Sequence, residues 1–384
     1  MRKLLLFIFL LPLLFSQRGL SQPVDSIDFY MLTCEPGNEV YSVYGHSAIR
    51  VVVRGTGRDI VYNWGLFDFD TPHFAFRFAK GKLDYMVGAC SMKTFMEEYQ
   101  VEKRSVWSQK INLTNGEKIN LINRLDENMR QENIYYRYDF FYDNCATRVR
   151  DIIENSLTGS VSYPVEENEK TFRELIDQCQ QRIPWLDFGA DFLLGLPADK
   201  KATVRDEGFL PMLLMKNLGS ATVNHSGKRE PVMSSPSLIL DMRDVAEKKP
   251  DVWILPLILY SLLVLVVLIT FVFGIPILGK VSDWILFSFF TILSLLMVFF
   301  NFFSDHQATH YNLLIIAFNP LIPFILYFIL MAKKFRKLSR LALVLALLYF
   351  PASMIIGQDI HPAVIPLILI MMVRLFKYSE FGKV

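Results

Sequence analysis

Two side chains in the N-terminal half of the sequence could together support catalysis through a covalent thiol intermediate. Cys145 lies in the stretch DFFYDNCATRVRDII, after two polar residues and before an amphipathic run. His46 follows a glycine in YSVYGHSAIRVVV. A cysteine attacks as its thiolate, and an imidazole is a common base for removing the thiol proton. Because the base need not be near the cysteine in the sequence, Cys145 and His46 form a candidate nucleophile–base pair.

The cysteine is predicted to open a helix. Asn144 is a favourable N-cap, and apolar residues recur behind it at helical spacing, which predicts a helix from Ala146 to Leu157. A helix N-terminus carries a partial positive charge, which lowers the pKa of a thiol and favours the thiolate. If this helix packs on a sheet, Cys145 has the position of a papain-type nucleophile.

The histidine is predicted to lie on a β-hairpin. The stretch YSVYGHSAIRVVV alternates apolar residues, GTGRD supplies turn residues, and DIVYNWGLF is a second β-like run. This places His46 near the start of the first strand and Asn63 late in the second. His73, in a TPHF loop, and His225, in a polar segment, are weaker candidates for a base. A histidine after glycine on a strand is often only a hydrogen-bonded surface residue, and this alternative stays open.

The cysteine count leaves more than one role open for Cys145. The chain has four cysteines, at Cys34, Cys90, Cys145 and Cys179, and an exported protein can pair all of them in disulfides. A catalytic thiol would leave three, hence at most one disulfide and one unpaired cysteine. Cys145 could also be a small residue that fills the core. The polar residues before it and the predicted helix after it favour the nucleophile.

Apolar segments divide the chain into an exported part and a membrane part. Residues 1–21 combine two basic residues, an apolar run and small residues, as a secretory signal peptide does. Residues 22–220 have the composition of a soluble domain, and residues 221–250 form a polar connector, either a linker or a lid on the membrane. Residues 251–384 are predicted to be a transmembrane helical domain. Its five apolar segments are Ile254–Gly274, Trp284–Phe303, Asn312–Ala332, Leu341–Gly357 and Ile360–Phe376.

The charges between these segments orient the bundle. With an exported domain before the first segment, the basic loop MAKKFRKLSR falls in the cytoplasm, and the opposite loops SDHQATH and GQDIHP contain no Lys or Arg. This agrees with the positive-inside rule. We therefore expect a membrane protein whose N-terminal domain lies on the exported side. His306, His310 and His361 fall on the exported side, as interfacial polar residues or, for the first two, as possible metal ligands.

Composition also limits the partners. The formal net charge is +2 and no basic stripe is present, so a nucleic-acid partner is not expected. The sequence contains no nucleotide-binding glycine motif, and thioester chemistry needs no metal or other cofactor. We therefore expect no cofactor.

The motifs of the exported part resemble a known family. YGHSAIRV, VYNWGLFDF, FYDNCATRVRDII, LPADK and FLP look like motifs of the Lnb family of lipoprotein N-acyltransferases. More broadly, they resemble the circularly permuted NlpC/P60 papain-like group, which includes the lecithin–retinol acyltransferases. The resemblance covers the exported part motif by motif and the membrane part by architecture only. It implies an α+β fold, with a circularly permuted papain-like (NlpC/P60-like) domain followed by an all-α transmembrane bundle of about five helices.

The resemblance further implies roles for individual residues. Cys145 matches the nucleophile and His46 the general base. A third polar group on the second strand should orient the imidazole. Asn63 fits this role best, and a register error of one residue would replace it by Tyr62 on the other face of the strand.

The resemblance also implies the reaction. An acyl chain would pass from a phospholipid donor through a thioester on Cys145 to the α-amino group of a diacylated lipoprotein. Tyr44 and Asn144 are near enough in sequence to line such a site, although they could equally be ordinary strand and cap residues. Two rival classes remain: a cell-wall peptidase or amidase on the same scaffold, and a non-catalytic envelope-binding protein whose Cys145 forms a disulfide.

Overall fold

A computed structural model of the chain describes residues 23–165, 170–225, 227–245, 255–273 and 276–379. The predicted signal peptide over 1–21 lies outside these residues. The chain forms two compact units. We call Met1–Glu169 with Ala202–Lys248 the sheet unit, and Lys170–Lys201 with Lys249–Val384 the helical unit.

All strands belong to the sheet unit, within the residues that the structure describes. They are β1 (Ile27–Cys34), β2 (His46–Val53), β3 (Arg58–Leu66), β4 (Asp84–Ser91), β5 (Val106–Lys110), β6 (Tyr135–Arg137), β7 (Ser160–Ser162), β8 (Thr222–His225), β9 (Lys228–Pro231) and β10 (Ser237–Leu240). Seven of them form one antiparallel sheet in the order β10-β5-β1-β2-β3-β4-β6. The strands β7, β8 and β9 form a second, smaller sheet.

Helices occur in both units. In chain order they are α1 (Phe74–Ala79), α2 (Met92–Val101), α3 (Asn115–Asn128), α4 (Cys145–Ser156), α5 (Phe172–Gln180), α6 (Pro184–Leu193), α7 (Pro211–Gly219), α8 (Leu255–Val272), α9 (Pro276–Phe302), α10 (Leu314–Ala317), α11 (Ile322–Leu330), α12 (Arg336–Ile356) and α13 (Val364–Tyr378). The first four and α7 belong to the sheet unit, and the others belong to the helical unit.

The predicted hairpin is confirmed as β2 and β3. The two strands pair in register from Val53 opposite Arg58 to Ala48 opposite Asn63. Because side chains alternate along a strand, the two faces of the sheet bury different sets of residues. One face packs against the helices α3, α4 and α7 and buries Ile49, Trp64, Leu121, Val149, Ile153 and Leu214. The other face packs against α2 and buries Leu32, Cys34, Ala48, Val61, Phe95 and Tyr99.

The segment predicted to be a linker over 221–250 contains regular structure. It supplies β8 and β9 to the smaller sheet, and its apolar patch forms β10, which pairs with β5 at the edge of the large sheet. The stretch is short and polar, so its strand character depends on partners that are distant in the sequence. Residues 221–240 are therefore part of the sheet unit, in place of the predicted free connector.

The segment 170–201 belongs to the helical unit, although the sequence placed it in the exported domain. The guanidinium of Arg173 is buried and pairs with the carboxylates of Asp191 and Asp199. The backbone N–H of Gly195 donates to the carbonyl of Ala308 over 2.8 Å. These bonds fix α5 and α6 within the helical unit, so the sheet unit does not include every residue of the predicted domain of 22–220.

Three helices of the described chain are long and apolar enough to cross a membrane, namely Leu255–Val272, Lys280–Phe302 and Arg336–Ile356. The third predicted segment, Asn312–Ala332, is instead broken into α10 and α11. The break lies at Asn319, whose side-chain oxygen accepts from the Leu321 N–H over 3.1 Å, next to a proline that cannot donate. The fifth segment forms α13, which has 15 residues. A bundle of five spans stays a prediction.

Candidate active site

His46 is positioned by the pairing of β1 with β2. It is the first residue of β2 and lies opposite Cys34, the last residue of β1. Gly45 enters the strand with a φ of 86°, in the left-handed region that favours glycine. A Cβ atom at this position would also lie 2.7 Å from the carbonyl oxygen of Cys34. The glycine before the histidine is therefore required for the chain to enter β2 at this point.

Asn63 holds the imidazole of His46. The Nε2 atom of His46 lies 3.2 Å from Oδ1 of Asn63, and the amide nitrogen of Asn63 donates to the sulfur of Cys90 over 3.6 Å. An amide oxygen only accepts, so this contact selects the tautomer with its proton on Nε2 and leaves Nδ1 as an acceptor. Tyr62 points to the opposite face and is buried in the core beside α4. Asn63, rather than Tyr62, contacts His46.

Cys145 is fixed at the first position of α4 by a capping box. The side-chain oxygen of Asn144 accepts from the N–H groups of Ala146 and Thr147 over 2.8 and 2.9 Å. Its amide nitrogen donates to the carbonyls of Phe140 and Phe209 over 2.8 and 2.9 Å. Every polar atom of the Asn144 side chain is thus used to hold the helix start. Asn144 sets the position of Cys145, and Tyr44 packs its ring 4.7 Å from that of Phe140 in the loop before the helix.

Three backbone N–H groups lie near the thiol of Cys145. Burial raises the pKa of this thiol above its ordinary value, and the N–H groups of Ser47, Ala146 and Cys145 itself act against that increase. Two of these donors belong to the helix start, and Ser47 comes from β2, directly after His46. Such a set of donors can stabilise a thiolate and can also bind the oxygen of a tetrahedral intermediate.

The histidine and the cysteine are both neutral at rest. Burial first, and the positive charge of Arg104 second, lower the pKa of His46 to about 4, against the opposing hydrogen bond from Asn63. The imidazole is therefore uncharged at neutral pH, whereas the raised pKa of Cys145 keeps its thiol protonated. This pair differs from a preformed thiolate–imidazolium pair, because proton transfer has to accompany the attack.

The structure brings the predicted residues together only in part. His46 and Asn63 are in contact, and Cys145 lies beside the amide of Ser47. Among the residues that the structure describes, the thiol of Cys145 and the imidazole of His46 form no hydrogen bond. Catalytic hydrogen bonds of this kind often tighten only when substrate is bound.

Gly65 lies directly beside Cys145. Its φ is 87°, and a Cβ placed on it would lie 3.6 Å from the Cβ of Cys145 and 4.0 Å from the ring of Tyr138. The ring of Tyr138 stacks on that of Tyr85 at 4.4 Å. Aromatic side chains therefore lie next to Gly65 and Cys145.

Sequence reasoning missed several members of this site. The amide of Ser47 could have been found, since it follows His46 directly, but Gly65, Tyr138 and Arg104 carry no recognisable signal. All four cysteines are free, so the predicted alternative of fully paired disulfides is not the state of the structure. No three His, Cys, Asp or Glu side chains in the described part of the chain are arranged to hold a metal ion.

An antiparallel sheet covered by helices, with a capped Cys145 at a helix start and an Asn63-bound His46 on the sheet, defines an α+β domain with a candidate thiol centre. Two family models match the chain: the Lnb N-terminal periplasmic domain over residues 20–178 and the Lnb transmembrane domain over residues 247–381. The chain belongs to the Lnb family, and it is a membrane protein with a periplasmic domain. No curated protein and no solved structure shows a significant match.

Proposed function

We propose that the protein is a lipoprotein N-acyltransferase of the bacterial inner membrane, with Cys145 as nucleophile and His46 as general base. The observation that carries the proposal is a cysteine at the capped start of α4, with the amide of Ser47 near its thiol and the Asn63-bound His46 directly before Ser47. Membership of the Lnb family and a transmembrane domain agree with substrates that are embedded in a bilayer.

The first half of the reaction forms a thioester. His46 Nδ1 takes the thiol proton, and the sulfur of Cys145 attacks the carbonyl carbon of a phospholipid acyl ester. The N–H groups of Ser47 and Cys145 donate to the carbonyl oxygen as it becomes negative. The ester C–O bond breaks, and the imidazolium returns its proton to the departing lysophospholipid alkoxide. Asn63 keeps Nδ1 directed toward the reaction throughout.

The second half transfers the acyl chain to an amine. The free α-amino group of a lipoprotein's diacylglyceryl-cysteine attacks the thioester carbonyl carbon and gives a proton to His46. The C–S bond breaks, and the sulfur of Cys145 takes the proton back. The products are an amide on the lipoprotein and the resting enzyme, so the reaction follows ping-pong kinetics.

The proposal is tested with the full-length protein in detergent, a phospholipid and a synthetic diacylglyceryl-cysteinyl peptide. Cys145→Ala and His46→Ala should each reduce N-acylation of the peptide by roughly a thousandfold or more, because nucleophile and base act as one unit. Without the peptide, an acyl group should accumulate on Cys145, where mass spectrometry detects it and hydroxylamine removes it.

A matched control is Cys179→Ala, which removes another free, partly buried cysteine in the helical unit. It should keep full activity. Full activity of Cys145→Ala, or an acyl group on another residue, would refute the mechanism. Release of fragments from purified peptidoglycan without lipid would instead favour the rival peptidase or amidase. A folded protein with neither activity would favour an envelope-binding role.

A further inference from the structure

Arg104 is a buried cation at the end of the sheet where His46 lies. It comes two residues before β5, whose first residue Val106 pairs with Cys34, and Cys34 in turn pairs with His46. The Nε atom of Arg104 donates to the carbonyl of Glu35 over 2.7 Å. The side chain thus lies against the segment 35–45, which joins β1 to His46.

The guanidinium of Arg104 has hydrogen-bond partners for only some of its donors. The Nη1 atom donates to Glu102 over 2.6 Å, and the guanidinium carbon lies 4.8 Å from the centre of the Tyr99 ring. The side chain of Arg104 is only 6 % exposed, and its Nη2 atom is buried with no hydrogen-bond partner among the described residues. One donor of this buried guanidinium is therefore left unused by the described residues, which is unfavourable for a purely structural arginine.

The charge acts on the candidate site. Arg104 opposes the increase that burial causes in the pKa of Cys145, and it contributes to the lowered pKa of His46. Both effects lower a pKa, because a nearby cation favours the thiolate over the thiol and disfavours the imidazolium. Glu102 contributes to the pKa of Arg104 itself, and it is not among the main causes for either Cys145 or His46.

We propose that Arg104 is a positioning residue of the acyltransferase site. Its Nε atom holds the segment that leads into His46, and its buried positive charge stabilises the negative charge that develops on the sulfur of Cys145. The inference rests on the proposed function for its catalytic consequence. Its effect on the thiol itself can be measured without lipid or acyl transfer.

Other titratable and charged groups face Arg104 and the thiol. They lie on β1, on α2 and the segment after it, on β4, in the segment 35–45, and on β6, α4 and the stretch between these two. They are Cys34, Glu98, Tyr99, Glu102, Cys90, Tyr41, Tyr136, Tyr138, Asp143 and Arg148. Arg148 is held by Asp143 through two bonds of 2.5 and 2.8 Å. Arg104 is the cation that appears among the main causes for both Cys145 and His46.

The test measures alkylation of Cys145 by iodoacetamide in the full-length protein, from neutral to alkaline pH, by mass spectrometry of the peptide that contains it. In Arg104→Gln the pH profile should move to higher pH and the rate near neutral pH should fall several-fold, because loss of a nearby positive charge raises the pKa of the thiol. Arg104→Lys should restore part of the rate, since it keeps the charge and loses the fork.

Two further variants keep the test decisive if Arg104→Gln does not fold, which exposure of the buried Cys34 thiol would reveal. Arg104→Met removes the charge without leaving a buried donor unpaired, and it should also move the profile to higher pH. Arg50→Gln removes an arginine paired with Asp59 on the same sheet and should leave the profile unchanged. An unchanged profile in folded Arg104→Gln or Arg104→Met would overturn the inference even if Cys145 proves to be the acyl carrier.

Discussion

Glu117 gives the sharpest prediction about stability. Its side chain is fully buried near the start of α3. One carboxylate oxygen accepts from the Thr158 N–H and from Nε2 of His225, both over 2.7 Å, and the other accepts from the Thr114 N–H over 2.9 Å. These bonds join three distant parts of the sheet unit, including the segment that the sequence predicted to be a linker.

The expected effect follows from the pKa. Burial would raise the pKa of Glu117, but the bonds from Thr158, Thr114 and His225 outweigh it and lower the pKa from 4.5 to about 2. This difference corresponds to about 3 kcal/mol of folding free energy near neutral pH. Glu117→Gln should remove about this amount, because its amide group turns a donor toward one of the N–H groups.

The pH dependence has a definite sign. A carboxyl group with a lowered pKa stabilises the fold above its ordinary pKa, so the loss in Glu117→Gln should be complete above about pH 4.5 and vanish as the pH falls toward 2. The hydrogen bond to Glu117 raises the pKa of His225. The stabilisation that protonated His225 contributes is therefore lost as the pH rises through that raised pKa. The difference between the two proteins should therefore be largest in mildly acidic solution.

The assay is urea unfolding of the full-length protein in detergent, read by pulse proteolysis of the sheet unit. Asp241→Asn is a matched control, since the pKa of Asp241 is also lowered to about 2, by an exposed bond with Arg243. Exposed pairs contribute little to stability, so this variant should unfold like the parent. Equal midpoints for Glu117→Gln and Asp241→Asn at pH 6 would refute the reasoning.

Two other predictions concern the helical unit and the candidate base. In Gly195→Ala the new Cβ would collide with the carbonyl of His310, so we expect a loss of about 1–3 kcal/mol, seen as faster proteolysis of 170–201. Gly189→Ala, whose Cβ would meet nothing within 4 Å, should be neutral or slightly stabilising. Equal proteolysis rates for the two variants would contradict the close contact between Gly195 and His310. Because the pKa of His46 is lowered to about 4, formation of the acyl-thioester should persist as the pH falls until about that value. A loss of half the rate near the ordinary histidine pKa of 6.5 would show that His46 is not held neutral.

Local patterns were sufficient wherever the physical cause is local. Asn144 satisfies the N–H groups of the residues just after it, so the start of α4 at Cys145 could be predicted within one residue. The hairpin of β2 and β3 could be predicted because alternation and a glycine-containing turn lie within one short stretch. Asn63 was the preferred orienting residue, and the register of the strands brings it to His46.

The sequence alone could not assign the segments 221–240 and 170–201 to their structural units, because their partners are distant in the sequence. Residues 221–240 are polar and short, and they become strands only because β5 and β7 offer partners that are distant in the sequence. Residues 170–201 have ordinary soluble composition, yet Gly195 bonds to Ala308 and places them in the helical unit. Composition describes a segment by itself, whereas its partner depends on topology.

The sequence by itself determined the export and membrane pattern, the thiol at a helix start and the histidine on a neighbouring hairpin, because hydropathy, capping and alternation act over a few residues. Only the tertiary structure decided that the Ser47 amide lies near the thiol, that Gly65 packs beside Cys145, and that the buried Arg104 lies at the same end of the sheet as His46. Electrostatic effects and steric exclusion depend on distance through space, and the folding of β1, β2, β5 and α4 together sets those distances.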